Sequence, residues 1–245
     1  MKETMNLLET FSRMFSAFTV VDLSHTLEND MPAYPTHPKY FLTQWNQIGD
    51  PSALNMIVMG DHSGTHLDST SHFIKDQQHP ARRNIDEISP TAVFGRAIKA
   101  TFGPFAATNQ VVTKAELVKW EEDHIEIKEG DIFIIDFQWG AKWFSRDEND
   151  HFLLGWPGLA KDAVDYLLSK KIKAIGTDCV SIDPGDGGNE EFPAHFGFLP
   201  NGVLIIENLT NLEQIPVESY FMAIPLKIKD GTASPIRPIA LIPPE

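Results

Sequence analysis

The sequence predicts a mixed α/β fold: one domain built around a largely antiparallel sheet. Three observations predict it. Short runs rich in β-branched and aromatic residues dominate the first half of the chain. A strand–helix–strand alternation occupies residues 131–177. No internal repeat, low-complexity tract or linker divides the 245 residues, of which 42% are hydrophobic, enough to fill a single core.

The elements follow in order. In MKETMNLLETFSRMFSAF, Met5, Leu7, Leu8, Phe11, Met14, Phe15 and Phe18 recur at helical spacing. This predicts an amphipathic helix over residues 1–18 that packs on the body or on a neighbouring subunit, with the main domain over 19–245. Strands are expected at 19–23 (TVVDL), 40–46 (YFLTQWN), 54–59 (LNMIVM) and 95–101 (GRAIKAT). Thr113 followed by Glu116 is a capping-box pattern, so a helix is expected over 113–124. The continuous apolar run at 131–137 (DIFIIDF) suits a buried strand, and a helix over 158–170 leads to a short strand at 173–177. Strands at 202–207 and 219–226 complete the pattern. The proline-dense stretches 32–38 and 235–244 read as irregular connections.

The formal net charge of -14 disfavours nucleic acid and anionic membrane as partners and leaves a small molecule. No stretch approaches the roughly 20 apolar residues of a membrane span. Cys179 is the only cysteine, so an intrachain disulfide and a thiolate-rich metal site are both excluded. Its neighbours supply no base, and it reads as a buried apolar residue. The first 18 residues make a poor signal peptide, and together these features fit a cytoplasmic protein.

Residues 62–72 read HSGTHLDSTSH. Three of the nine histidines and an aspartate fall within eleven residues, a concentration of groups that hold zinc, manganese or iron(II). Gly64 and Thr65 disfavour a helix there. A strand running into a tight turn at Gly64 puts Asp68 on the same side as His66. His195 and Glu207 are candidates for a second half of the site. A carboxylate ending the apolar run GVLIIE is costly to bury unless a cation or another partner meets it.

The motif H-x-G-T-H-x-D-x-x-x-H resembles the signature of the cyclase-like metal-dependent hydrolases, the family of bacterial kynurenine formamidase and isatin hydrolase. VVDLSHTLENDMPAYP is similar to the family's opening and PAHFGFLPNGVLIIENL to its second metal segment, so the resemblance spans about residues 19–226. It implies a swivelling β/β/α cyclase-like domain assembled as a homodimer or homotetramer. It implies that His62, His66 and Asp68 hold one divalent metal, that Asp68, His195 and Glu207 hold a second, and that His72 moves protons. Tyr34 stands at the aromatic position of the substrate pocket, where formamidases carry tryptophan. Thr70 stands where the family often has proline.

The expected activity is hydrolysis of an amide C–N bond (a formamide, cyclic amide or lactam) in a small aromatic substrate, with one or two zinc or manganese ions as cofactor. A lactone hydrolase, a cyclase or dehydratase on the same metal, and a metal-holding protein without turnover are the alternatives. His25 and Trp139 are further candidates for the substrate pocket. Asp178 serves either the ligand shell or the local backbone. The loop 183–191, DPGDGGNEE, reads as a solvated turn or an active-site lid, and loops 31–50 and 138–158 as the seat of specificity. His37, His79, His124 and His151 read as surface residues.

Overall fold

The computed structural model describes residues 2–105, 108–144, 151–185 and 191–244. In chain order the elements are α1 (Lys2–Ala17), β1 (Thr19–Asp22), β2 (Phe41–Gln44), β3 (Asn55–Val58), β4 (His66–Asp68), β5 (Phe94–Thr101) and β6 (Val111–Val112). Then come α2 (Lys114–Asp123), β7 (Ile132–Asp136), β8 (Gly158–Leu159), α3 (Lys161–Ser169), β9 (Ala174–Thr177) and α4 (Pro193–Phe198). The last four are β10 (Leu204–Glu207), β11 (Glu218–Met222), β12 (Ala233–Pro235) and β13 (Ile239–Ile242).

One nine-stranded sheet organises the chain, in the order β1-β13-β11-β5-β7-β9-β10-β4-β12. Its centre, β5-β7-β9-β10, is parallel and both flanks are antiparallel. The β7–α3–β9 unit is the predicted strand–helix–strand piece, since a parallel neighbour requires a crossover. β7 is buried on both faces, as its unbroken apolar run demands. Phe133 and Ile135 pack with Leu117, Val164 and Leu167 under the helices, while Ile132 and Ile134 pack with Leu67, Ile206 and Phe221 on the other side. The Thr113–Glu116 capping box opens α2 as expected.

Two expectations are corrected. Residues 235–244 are not an irregular connection: they contain the end of β12 and all of β13. Pro235 is tolerated because β12 is the edge strand of the sheet, where a missing ladder donor costs little. The helix expected from 158 begins at Lys161, because Gly158 and Leu159 pair with β6. α1 exists, yet it does not pack on the body: Leu7, Leu8, Phe11 and Met14 are 59–71% exposed. β2 and β3 pair only with each other, as a hairpin exposed along its length.

Asp178, just beyond β9, serves the backbone. Its Oδ1 accepts from Phe137 N at 3.0 Å, and its Oδ2 accepts from Trp139 N at 2.5 Å and Gly140 N at 2.9 Å. These bonds tie the exit of β7 to the end of β9. Burial, with Asp136 close by, pushes its pKa up to about 7 against those three donors. Cys179 beside it is fully buried, as expected.

Candidate metal centre

The centre is built where β4, β10 and α4 meet. Strand alternation aims His66 and Asp68 to the same side of β4, and the antiparallel register sets Glu207 opposite His66. Gly64 makes the turn before β4 with φ of +61°, and a Cβ there would fall 2.5 Å from Leu27 Cδ2. That turn brings the Gly64 carbonyl within 2.8 Å of His66 Nδ1. His195 enters from α4, which follows Phe192 in the left-handed region at φ 45°. His72 ends a 3-10 turn over Thr70–His72.

The tautomers are locked from behind. His66 Nδ1 donates to the Gly64 carbonyl, so its Nε2 lone pair faces inward, 3.4 Å from Asp68 Oδ1 and 3.5 Å from Glu207 Oε2. His195 Nδ1 lies 2.6 Å from Asp183 Oδ2, and its Nε2 lies 3.4 Å from Asp68 Oδ2 and 3.7 Å from Glu207 Oε1. His62 Nδ1 lies 2.8 Å from Asp68 Oδ1. Its Nε2 is 3.1 Å from Thr232 Oγ1, which donates to Asp61 Oδ2 at 3.0 Å. Backing a ring nitrogen with a carboxylate or carbonyl is how proteins orient metal-binding histidines.

A divalent cation fits this set. His66 Nε2 and both Asp68 oxygens are buried and make no hydrogen bond, a costly state unless something charged stands between them. His62, Asp68 and His72 present ligand atoms within 4.8 Å of one another, as do His66, Asp68 and Glu207. His72, expected to move protons and not to hold metal, thus presents a ligand atom beside those of His62 and Asp68. Burial opposes charge on His66 and His195, yet the carboxylates outweigh it and raise them to about 9 and about 10. Burial and the Asp68 charge raise Glu207 to about 7, while the surrounding histidines hold Asp68 well below the ordinary carboxylate value despite its burial. Burial lowers His72 to about 3, against the pull of Asp68.

The centre opens into a pocket of about 230 Å³ lined by Tyr34, His37, His62, His72, Phe73, Phe192, His195 and Glu207, among others. Next to it lies a chamber of about 750 Å³, with Tyr34, Trp143, Phe144 and Phe152 in its wall. Tyr34 lines both spaces. Trp139 does not: it is a core residue whose Nε1 donates to the Phe152 carbonyl at 2.9 Å, and Trp143 lines the chamber instead. His25 stacks on Trp143, with centroids 3.9 Å apart and planes at 7°, and it lines a separate cavity with Asp22 and Arg237. His37 is half-buried in the pocket wall and not on the open surface. The lid reading of loop 183–191 lies outside the described residues over 186–190, and the specificity reading of loop 138–158 over 145–150.

Burial lowers His25 to about 4 from the ordinary 6.5. Its folded-state pKa is depressed, so the unfolded chain takes up the proton first. This contribution to stability is complete above about pH 6.5 and is lost as pH falls toward 4. The midpoint of thermal unfolding should fall across that window. His25→Phe keeps a ring on Trp143 and should reduce the slope by up to about 1.4 kcal/mol per pH unit, the effect of one proton. An unchanged slope in parallel melts would exclude His25 as the sensitive group.

Sequence reasoning missed Asp61, Asp183 and Thr232. Asp61 carried the faint signal of an acid next to a motif histidine, but Thr232 lies 170 residues from His62 and carried none.

Comparisons with known proteins fit this geometry. The Cyclase family model matches residues 21–184. The chain belongs to the cyclase family. It is 34% identical over 217 residues to the isatin hydrolase of Roseibium aggregatum, covering 82% of this chain and 80% of that protein. It is 28% identical to the kynurenine formamidase of Erythrobacter litoralis, over 89% and 91% of the two chains. Among solved structures, an isatin hydrolase bound to the product analogue thioisatinate superposes with a TM-score of 0.88 at 28% identity, covering 100% of both chains. Another neighbour is a potential metal-dependent hydrolase with cyclase activity, with a TM-score of 0.72 at 25% identity over 94% and 100% of the two chains. The cyclase-family fold is therefore the mixed α/β domain expected. No helix among its described residues is long and apolar enough to cross a membrane.

Proposed function

We propose that this cyclase-family chain is a metal-dependent amidohydrolase that cleaves the C–N bond of a small aromatic amide. The observation that carries the reading is the cluster of His66 Nε2 and both Asp68 oxygens, buried without hydrogen bonds beside a pocket walled by Tyr34, Phe73 and Phe192. His62, His66, Asp68, His195 and Glu207 would hold one or two cations, zinc or manganese, since imidazole and carboxylate accept both. When bound, such a cation supplies Lewis acidity and lowers the pKa of water toward 7.

The chain's own groups do the rest. Gly64 O, Asp183 and the Thr232–Asp61 pair keep the ring nitrogens of His66, His195 and His62 aimed inward. His72, at the pocket wall with its ring 4.1 Å from that of His62, is placed to accept the proton of the attacking water. As the water oxygen joins the carbonyl carbon and the C–N bond breaks, His72 passes that proton to the leaving nitrogen. Tyr34, Trp143, Phe144 and Phe152 offer flat apolar walls to an aromatic ring.

The test is hydrolysis of isatin and N-formylkynurenine side by side by metal-loaded protein, followed by absorbance. Hydrolysis of either supports the reading. Hydrolysis of neither, with turnover of lactones instead, replaces it by the lactonase alternative.

The uncovered apolar faces of α1 and the β2–β3 hairpin support assembly with a second copy of the chain. Leu7, Phe11, Trp45, Ile48 and Ile57 are each more than half exposed, an arrangement that is costly in water. Light scattering should give a multiple of the 27.5 kDa chain mass, and truncation of α1 should lower it. A monomer at micromolar concentration would end this reading. A soluble, cytoplasmic enzyme fits the composition.

A further inference from the structure

Glu207 is the last residue of β10, and the chain turns directly after it. Asn208 makes that turn in the left-handed region at φ 58°, a conformation that asparagine tolerates better than most side chains. The residue is buried. Its backbone is tied on both sides. Its N–H donates to the Cys179 carbonyl at 3.0 Å, and its carbonyl accepts from Thr65 Oγ1 at 2.5 Å.

The side chain makes a different connection. Asn208 Nδ2 donates to the Gly64 carbonyl at 2.8 Å, and the same carbonyl accepts from His66 Nδ1, also at 2.8 Å. The amide must present its NH₂ here, because its oxygen would meet another oxygen. One carbonyl thus carries two donors, one from the ring of His66 and one from the residue that follows Glu207. His66 and Glu207 already face each other across the β10–β4 ladder, and Asn208 links them a second time outside it.

Gly64 explains why this carbonyl needs holding. At φ +61° and without a Cβ, glycine lets the peptide after it swing with little steric resistance. A carbonyl that swung away would leave His66 Nδ1 without its acceptor. The proton would then be free to sit on Nε2, the nitrogen that faces Asp68 and Glu207, where it blocks a cation. A second donor on the carbonyl resists that rotation. Stability alone is a weak reason for asparagine at this position. Its Oδ1 is buried without a hydrogen bond, a cost of about 1–3 kcal/mol that glycine, which adopts the same φ freely, would avoid.

Resting on the metal-dependent reading above, we propose that Asn208 is a positioning residue for the metal centre. Through the Gly64 carbonyl it holds His66 with the Nε2 lone pair toward the cation.

The experiment uses Asn208→Gly, which removes the amide but keeps the left-handed turn and the carbonyl that Thr65 binds. Affinity is read by titration with manganese, the free ion being counted by electron paramagnetic resonance. Ligand geometry is read from the visible absorption bands of protein loaded with cobalt(II). The variant should bind manganese about 10–100-fold more weakly, the range expected when a partner behind a ligand is lost, and its cobalt bands should shift. Asn208→Ser, one bond shorter than asparagine, replaces it with the same expectations if the glycine variant fails to fold. An affinity and a cobalt spectrum equal to wild type, with only the melting temperature of the metal-free protein lowered, would make Asn208 a structural residue and overturn the proposal. Wild-type protein that binds manganese but hydrolyses no amide overturns the hydrolase reading alone, because the affinities still report on Asn208. Wild-type protein that binds no divalent cation overturns both.

Discussion

Replacing Asp68 by Asn should leave a folded protein that no longer retains a divalent cation. Asp68 belongs to both ligand groups, with His62 and His72 on one side and with His66 and Glu207 on the other. Its Oδ1 faces His62 at 2.8 Å and its Oδ2 faces His195 at 3.4 Å. Asn keeps the shape but loses the charge, and it turns one of the two oxygens into an NH₂ donor that no cation can use. The backbone should keep its course, because the Asp68 oxygens face only the side chains of His62, His66 and His195. Wild-type protein at a free metal concentration 1,000 times its Kd should gain about 4 kcal/mol of stability, and the variant none. Activity should fall by at least about 10³-fold, since several kcal/mol of transition-state stabilisation leave with the metal. Metal analysis after dialysis, with melts in the presence and absence of manganese, reads the result. A variant that keeps wild-type stoichiometry would show that Asp68 is not the shared ligand.

His72→Ala should behave differently. The His72 ring lies 4.1 Å from that of His62 and 5.7 Å from that of His195, at the wall of the pocket. Its 3-10 turn is anchored elsewhere, by Thr70 Oγ1 donating to the Ala81 carbonyl at 2.5 Å and Ser71 N donating to the Arg83 carbonyl at 3.0 Å. Removal of the ring should therefore leave the turn in place. As the group that moves the proton, it should take with it about 10²–10⁴-fold of kcat while the metal stays bound. Added imidazole should restore part of the rate. Loss of the cation would instead make His72 a ligand with His62 and Asp68, the grouping their distances also permit, and the proton would need another carrier.

These two residues show how far the sequence reached. The spacing of His66, Asp68 and Gly64 was legible because it is local: strand alternation and one left-handed glycine orient those groups whatever the rest of the chain does. The strand–helix–strand unit and the Thr113 cap were legible for the same reason. His195 and Glu207 were candidates from the carboxylate that ends GVLIIE and from the family resemblance, but Glu207 meets His66 only through the pairing of β10 with β4, which no local pattern announces.

Tertiary structure alone decided the remainder. It put Trp143 at the chamber in place of Trp139, turned 235–244 into strands, and left the apolar face of α1 uncovered within the chain. It brought Asp61, Thr232 and Asp183 behind the histidines and His37 to the pocket wall. The physical reason is common to all of these. The type of chemistry resides in side chains and their local spacing, so the sequence determines it unaided. The meeting of the ligand atoms, the pocket wall and the edge strand depend on long-range strand pairing and packing, which exist only once the sheet has formed.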